Sequence, residues 1–188
     1  MCKRSLTMIG VTIIAFGALL NAQEPNQEPR TPSQAAGKSN MATADHMFVM
    51  DVAMDGMAEV ELGKLASEKA SNAKVQAFAR RMVADHGKAG DELKTLAASK
   101  QMTLPMMVDP EHKATHDRLV KLSGAEFDRA YVREMVSGHK KAVDAFTRES
   151  TSGSDSEVKA WATKTLPTIR EHLRMIEELD KDAVSSTK

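Results

Sequence analysis

Apolar residues recur along this chain in alternating steps of three and four, the spacing that lines one face of an α-helix, and no stretch shows the period-two alternation of a half-buried strand. The first seam reads Phe48, Val52, Asp55, Glu59, Leu62, Ala66 and predicts a helix from about Thr43 to Ala70, with two carboxylates in core register. Ser71-Asn72 then breaks and caps the chain, and a second seam (Val75, Ala79, Met82, His86, Ala89, Leu93, Leu96) carries a helix to about Lys100. A third helix is expected from Ser123-Gly124 to just before Thr151-Ser152-Gly153-Ser154, on Val132, Met135, His139, Ala142 and Phe146. The fourth starts near Ser156 and runs to about Lys181 on Val158, Ala162, Thr165, Ile169, His172, Ile176 and Leu179. Pro167 interrupts it, and a proline inside a helix removes one backbone bond and kinks the rod.

The connections set the architecture. Two links are short, whereas Gln101 to Ser123 is long and contains Pro105 and a short helix opened by Asp109-Pro110-Glu111, an N-cap followed by proline in the first turn. About eleven extended residues plus a three-turn helix reach well beyond 40 Å, enough to return the chain from one end of a bundle to the other. The expected fold is all-α, a four-helix bundle with a long crossover between its second and third helices; an up-down-up-down bundle is the alternative.

The ends fall outside this pattern. Lys3 and Arg4 precede an apolar run from Met8 to Leu20, with small residues suited to cleavage after Ala22, so residues 1–22 read as a signal peptide; an uncleaved anchor is the competing reading. Residues 23–42 carry three prolines and few large apolar groups and read as a disordered tether. The bundle is expected over 43–182 and a flexible tail over 183–188. The expected location is the periplasm or the exterior, with no stable membrane insertion after cleavage. The only cysteine, Cys2, lies in the leader, so the mature chain has no thiol for a disulfide, a Cys-based zinc site or a nucleophile. Without Lys3 and Arg4 the mature chain holds 24 basic against 26 acidic residues, and aromatics are 4%, which gives no footing for a nucleic-acid partner. A protein partner is not identifiable, and homo-oligomerisation stays open.

Three of the four seams carry a histidine where a core residue belongs, and the fourth carries Glu59. Glu59, His86, His139 and His172 lie at similar distances from their helix starts, within a spread of about 3 Å along the axis at 1.5 Å per residue, so helices packed side by side would bring them to one layer. Three imidazoles and a carboxylate in a bundle core make a site for one divalent transition metal, with zinc, iron, manganese and copper all admissible. Asp55, Asp85, Asp128 and Tyr131 are the candidates to stand behind the ligands, Asp85 orienting one of them. The competing reading is a buried hydrogen-bonded network of neutral histidines that only fixes the fold.

His46, His112 and His116 lie off this pattern and are expected to be solvated, although the last two, four residues apart, could hold a metal weakly at the surface. Met47, Met50, Met54 and Met57 recur at helical spacing, with Met102, Met106 and Met107 near the crossover. Thioethers suit Cu(I), but adaptable core packing is the stronger expectation for them.

Met82-Val83-Ala84-Asp85-His86, Gly124-Ala125-Glu126-Phe127-Asp128-Arg129-Ala130-Tyr131, His139-Lys140-Lys141-Ala142-Val143 and Thr165-Leu166-Pro167 with His172 resemble a large bacterial family of exported ferritin-like helical proteins that is still a domain of unknown function. Glu59-Val60-Glu61-Leu62-Gly63-Lys64-Leu65-Ala66 fits the same family. The resemblance spans roughly residues 45 to 180 and implies a ferritin-like bundle and export, with no established activity. The chain departs from ferritin-like di-iron proteins, because Val83, Val136 and Ile169 stand three residues before the histidines where those proteins place glutamate. A di-iron centre is not expected; a metal site would be mononuclear and histidine-rich. Two functions follow: a cell-envelope metal-binding bundle that sequesters or senses an ion, or a non-catalytic structural or stress-response protein. An enzyme is the least supported, since no activated nucleophile, phosphate-cradling loop or catalytic carboxylate pair is identifiable.

Overall fold

A computed structural model describes residues 41–185, with side chains through 182. The proposed signal peptide, the tether up to residue 40 and the last three residues lie outside the described residues.

Five helices follow in order: α1 (Thr43–Lys69), α2 (Ala73–Ser99), α3 (Pro110–Val120), α4 (Gly124–Ser152) and α5 (Ser156–Ser185). Local chemistry sets their ends. The Asn72 side chain accepts from the Lys74 amide to start α2, and Asp109 accepts from the Glu111 and His112 amides ahead of Pro110 to start α3. α5 runs on to Ser185, into the stretch expected as a flexible tail. It also passes unbroken through Pro167, which is exposed and so crowds no core side chain.

The four long helices form a ferritin-like bundle. α1 and α2 pair as one hairpin and α4 and α5 as the other, with α2 against α5 and α1 against α4. Lys74 at the start of α2 reaches Asp182 near the end of α5, while Lys100 after α2 pairs with Asp155 just before α5, so these two helices run antiparallel. Crossover residues 101–123 return the chain along α1: His112 of α3 meets Asp55, and the Lys69 ammonium donates to the Val120 carbonyl. Among the described residues no helix is long and apolar enough to cross a membrane.

Each hairpin turn is held by a carboxylate of the other hairpin. Asp128, in the first turns of α4, accepts from the Ser71 amide at 3.0 Å and the Asn72 amide at 2.9 Å. Asp45, at the start of α1, accepts from the Ser154 and Asp155 amides at the start of α5. Both carboxylates are buried, and these bonds satisfy amides that no helix can satisfy internally. Within the first hairpin Gly63 allows close approach: a Cβ there would lie 2.9 Å from Val83 Cγ2 and 3.1 Å from the Ala79 carbonyl.

The core divides into two apolar clusters. One gathers Phe78, Met82, Phe127, Tyr131 and Ile176, and the other Phe48, Leu93, Phe146, Trp161 and Ile169. Reading along α5, Ile169 belongs to the second cluster and Ile176 to the first, and His172 lies between them. The order is reversed in α2 around His86 and in α4 around His139, where Met82 and Met135 belong to the first cluster and Leu93 and Phe146 to the second, so a polar layer crosses the middle of the bundle.

Two expectations about side-chain placement fail. Asp55, expected in core register, is half exposed and pairs with His112 Nε2 at 3.2 Å. The α1 pattern has weak contrast between its faces, and the crossover covers a side of α1 that a plain four-helix count would leave wet. Of the methionines expected to pack the core, Met102 packs against the second cluster, while the others do not join it: Met106 is 94% exposed, Met107 77% and Met47 57%, and Met50, Met54 and Met57 are half-buried. Those that stay outside the core lie on α1 and on the irregular part of the crossover, not on a face shared by two long helices.

Candidate metal centre

The mid-bundle layer is built from one side chain per helix. α1 supplies Glu59, α2 His86, α4 His139 and α5 His172, and all three imidazoles are buried, His139 and His172 completely. Their ring centroids lie 5.2 to 5.7 Å apart. One ring nitrogen from each histidine comes within 4.8 Å of the others.

In each imidazole one nitrogen is already engaged. His86 Nδ1 lies 2.9 Å from Glu59 Oε2, His139 Nδ1 donates to the Met135 carbonyl at 2.9 Å, and His172 Nε2 donates to Asp85 Oδ2 at 2.8 Å. Left without partners are His86 Nε2, His139 Nε2 and His172 Nδ1. A buried polar atom with no partner costs about 1–3 kcal/mol, so three in one layer form a set that a ligand would satisfy. An ion at roughly 2.0–2.1 Å from each imidazole would hold the nitrogens about 3.5 Å apart, a closure on the order of an ångström. The donor set therefore fits one transition-metal ion bound by three imidazoles, each oriented from behind.

The other predicted residues distribute unevenly. Glu59 stands behind two imidazoles rather than among the unpartnered nitrogens; its Oε1 lies 3.5 Å from His139 Nδ1. Asp85 orients His172 and is itself held by Arg81, one turn earlier. Tyr131 is fully buried beside Phe78, its hydroxyl without a partner. Asp128 is remote, committed to the α1–α2 turn, and Asp55 faces the crossover. His46 is exposed as expected, whereas His112 and His116 are half-buried and His112 is bonded on both ring nitrogens, which leaves that pair no free ligand set. The sequence reading missed Phe78, whose ring edge-packs on His139 and His172, and the Met135 carbonyl. The four-residue step from Met135 to His139 was the available signal for the latter.

Electrostatics separate the histidines. Burial opposes charge on all three, but the Glu59 carboxylate outweighs it at His86 and raises that imidazole. For Glu59 burial pulls upward, and the attraction and hydrogen bond of His86, with His139 and His172, bring the carboxyl down to about 2. Burial dominates at His172, pushed down to about 4 despite Asp85, and at His139, which is also lowered. Burial likewise pushes the Tyr131 phenol up. Two imidazoles are thus held neutral, the form that binds metal.

A groove of about 1010 Å³ runs along α1 from Met47 and the exposed Met106 and Met107 to Glu59 and His86.

A family profile described as a domain of unknown function, DUF4142, matches residues 30–179. Among solved structures, a DUF305 fragment from Deinococcus radiodurans is similar at TM-score 0.67 and 17% identity, over 76% of this chain and 98% of that one. CopM in its Cu(II)-bound form is similar at TM-score 0.62 and 18% identity, over 76% and 98%. A protein described as a secreted DUF305 protein from Streptomyces coelicolor is similar at TM-score 0.63 and 14% identity, over 74% and 93%. At these identities the likeness is one of fold. No curated protein matches in sequence.

Proposed function

The chain belongs to the DUF4142 family, a domain of unknown function, and on that premise we propose that it is an exported bundle that holds one transition-metal ion, copper foremost, on His86, His139 and His172. The observation that carries this reading is the set of three unpartnered nitrogens on three buried imidazoles. Glu59, the Met135 carbonyl and Asp85 orient the ligands from behind, and Glu59 supplies the negative charge that offsets the ion's. Three protein ligands leave a coordination position open, which suits reversible loading more than a closed structural site. The reading is sequestration or buffering of the ion in the cell envelope.

Copper is favoured by two observations. Similar folds include CopM structures with Cu(II), Cu(I) and Ag, and the thioethers of Met47, Met106 and Met107 line the groove that reaches His86, soft ligands apt for Cu(I). Export is supported by the basic-then-apolar leader.

A second reading is supported by the Glu59–His86 and Asp85–His172 contacts, which could serve the fold alone as a network fixing helix register. Elemental mass spectrometry on mature protein purified without an affinity tag, after incubation with copper, zinc, iron and manganese, separates the two. The metal reading expects one ion per chain, lost in the His86→Ala/His172→Ala variant. Wild-type protein that takes up none of the four would leave the network reading.

A further inference from the structure

The triad lies mid-bundle, and an ion must reach it through the protein. The groove along α1 reaches two members of that layer, Glu59 and His86. It is lined by His86, 92% buried with Nε2 unpartnered, and it extends to the surface beside the crossover. Along it, Met47, Asp51, Asp55 and Glu59 recur every four residues, and all four line the groove. That row covers about 18 Å at 1.5 Å per residue. Asp51 and Asp55 are exposed, and Glu59 touches the imidazoles. Like charges stacked on one helix face repel and destabilise the helix slightly; Asp55 and Glu59 gain His112 and His86 as partners, whereas no ion pair among the described residues offsets Asp51. At Asp55 burial first, and then the Glu59 and Asp51 carboxylates, push the carboxyl up to about 6 against the downward pull of His112, although half of that side chain still meets solvent.

We propose that this groove is the uptake route for the metal ion, with Asp51 and Asp55 as carboxylate steps that draw a cation from solvent toward Glu59 and the three imidazoles. The inference rests on the metal-binding reading above. A row of negative charge in a concave, partly apolar channel concentrates cations and raises association rates by about ten- to a thousandfold. Such a row acts on how fast the ion arrives, not on how many ions bind.

The test uses rate and stoichiometry together. Metal-free full-length mature protein is mixed with Cu(II) in a stopped-flow instrument and followed by quenching of Trp161, the single tryptophan; loss of the signal in the His86→Ala/His172→Ala variant assigns it to the triad. Two variants act by different means. Asp51→Asn/Asp55→Asn removes the charge, and Gly56→Leu adds bulk at a groove-lining position where the new Cβ meets nothing within 4 Å. The expectation is one ion bound at equilibrium in wild type and both variants, with the second-order rate at least tenfold lower in each and its ionic-strength dependence flattened in the charge variant. One bound ion taken up at the wild-type rate in both variants would overturn the route while leaving the site intact. A wild-type protein that binds no ion would overturn the site and the route together.

Discussion

His172 donates from Nε2 to the Asp85 carboxylate at 2.8 Å, and this contact determines which nitrogen of His172 faces the other two imidazoles. With Nε2 carrying the proton, Nδ1 is left as a lone-pair donor toward the layer. Asp85→Ala frees the ring to take either tautomer and to rotate. Metal affinity is expected to weaken by about 10- to 100-fold, the usual effect of losing the group behind a ligand. Competition titration against a chelator of known affinity reads the change, and circular dichroism confirms that the bundle persists. Unchanged affinity would mean that packing against Phe78 alone fixes the ring.

The same burial makes the metal-free protein sensitive to acid. His172 has a folded pKa of about 4 against an ordinary value of 6.5. Between these values the unfolded chain binds a proton that the folded chain refuses, so stability from this group is present above pH 6.5 and is lost as the pH falls toward 4. His139 is lowered by burial and acts in the same direction. His86 is raised by Glu59 and acts in the opposite sense, its contribution being full below pH 6.5 and lost as the pH rises through the folded value. The His172 share is on the order of 3 kcal/mol. Urea unfolding of wild type and His172→Gln at pH 7 and pH 4.5 should show a smaller loss in the variant; equal losses would place the acid sensitivity in other groups.

The reciprocal caps give a prediction that leaves the metal layer untouched. Asp128→Ala strips the Ser71 and Asn72 amides of a buried charged acceptor, and Asp45→Ala does the same for Ser154 and Asp155. Each is expected to lower stability by about 2 kcal/mol, at the upper end of helix-cap losses because the acceptor is charged and buried. The two sites lie at opposite ends of the bundle, so the double variant should lose close to the sum, with metal stoichiometry unchanged. A double variant no worse than either single one would show that the two turns open together.

The helices and their ends were legible because the signals are local. Asn72 and Asp109-Pro110 act within three residues, and the seam histidines declare themselves by interrupting strong apolar periods in α2, α4 and α5. In α1 that logic weakens. Asp55 and Glu59 are one turn apart and were both counted as core, yet only Glu59 meets the imidazoles, because α3 and the crossover set which side of α1 is covered. The methionines other than Met102 were misplaced for a related reason: apolar character at helical spacing gives a face but not what the face meets. Which nitrogen each imidazole turns inward depends on Glu59, Asp85 and the Met135 carbonyl in three dimensions, and no spacing rule carries that. Asp128 fits a family motif, but its work lies at the α1–α2 turn rather than at the centre.

Gly63 tests how closely α1 and α2 must approach. Alanine at an exposed helical glycine ordinarily gains up to about 1 kcal/mol, since glycine loses more backbone freedom on folding. Gly87→Ala should show that gain, because an added Cβ there meets nothing within 4 Å. At Gly63 the same methyl would sit 2.9 Å from Val83 Cγ2 and 3.1 Å from the Ala79 carbonyl. The carbonyl belongs to a helix backbone, and valine is stiff at χ1, so neither yields cheaply. Overpacking of this kind costs about 1–3 kcal/mol, enough to outweigh the helical gain and leave Gly63→Ala less stable than wild type by thermal or urea unfolding. Adding Val83→Ala relieves the nearer contact, so the double variant should be less destabilised than the two single changes together. A Gly63→Ala protein as stable as Gly87→Ala would mean that the two helices can part by a few tenths of an ångström at no cost, and that the layer holding Glu59 against His86 is not fixed by their close approach.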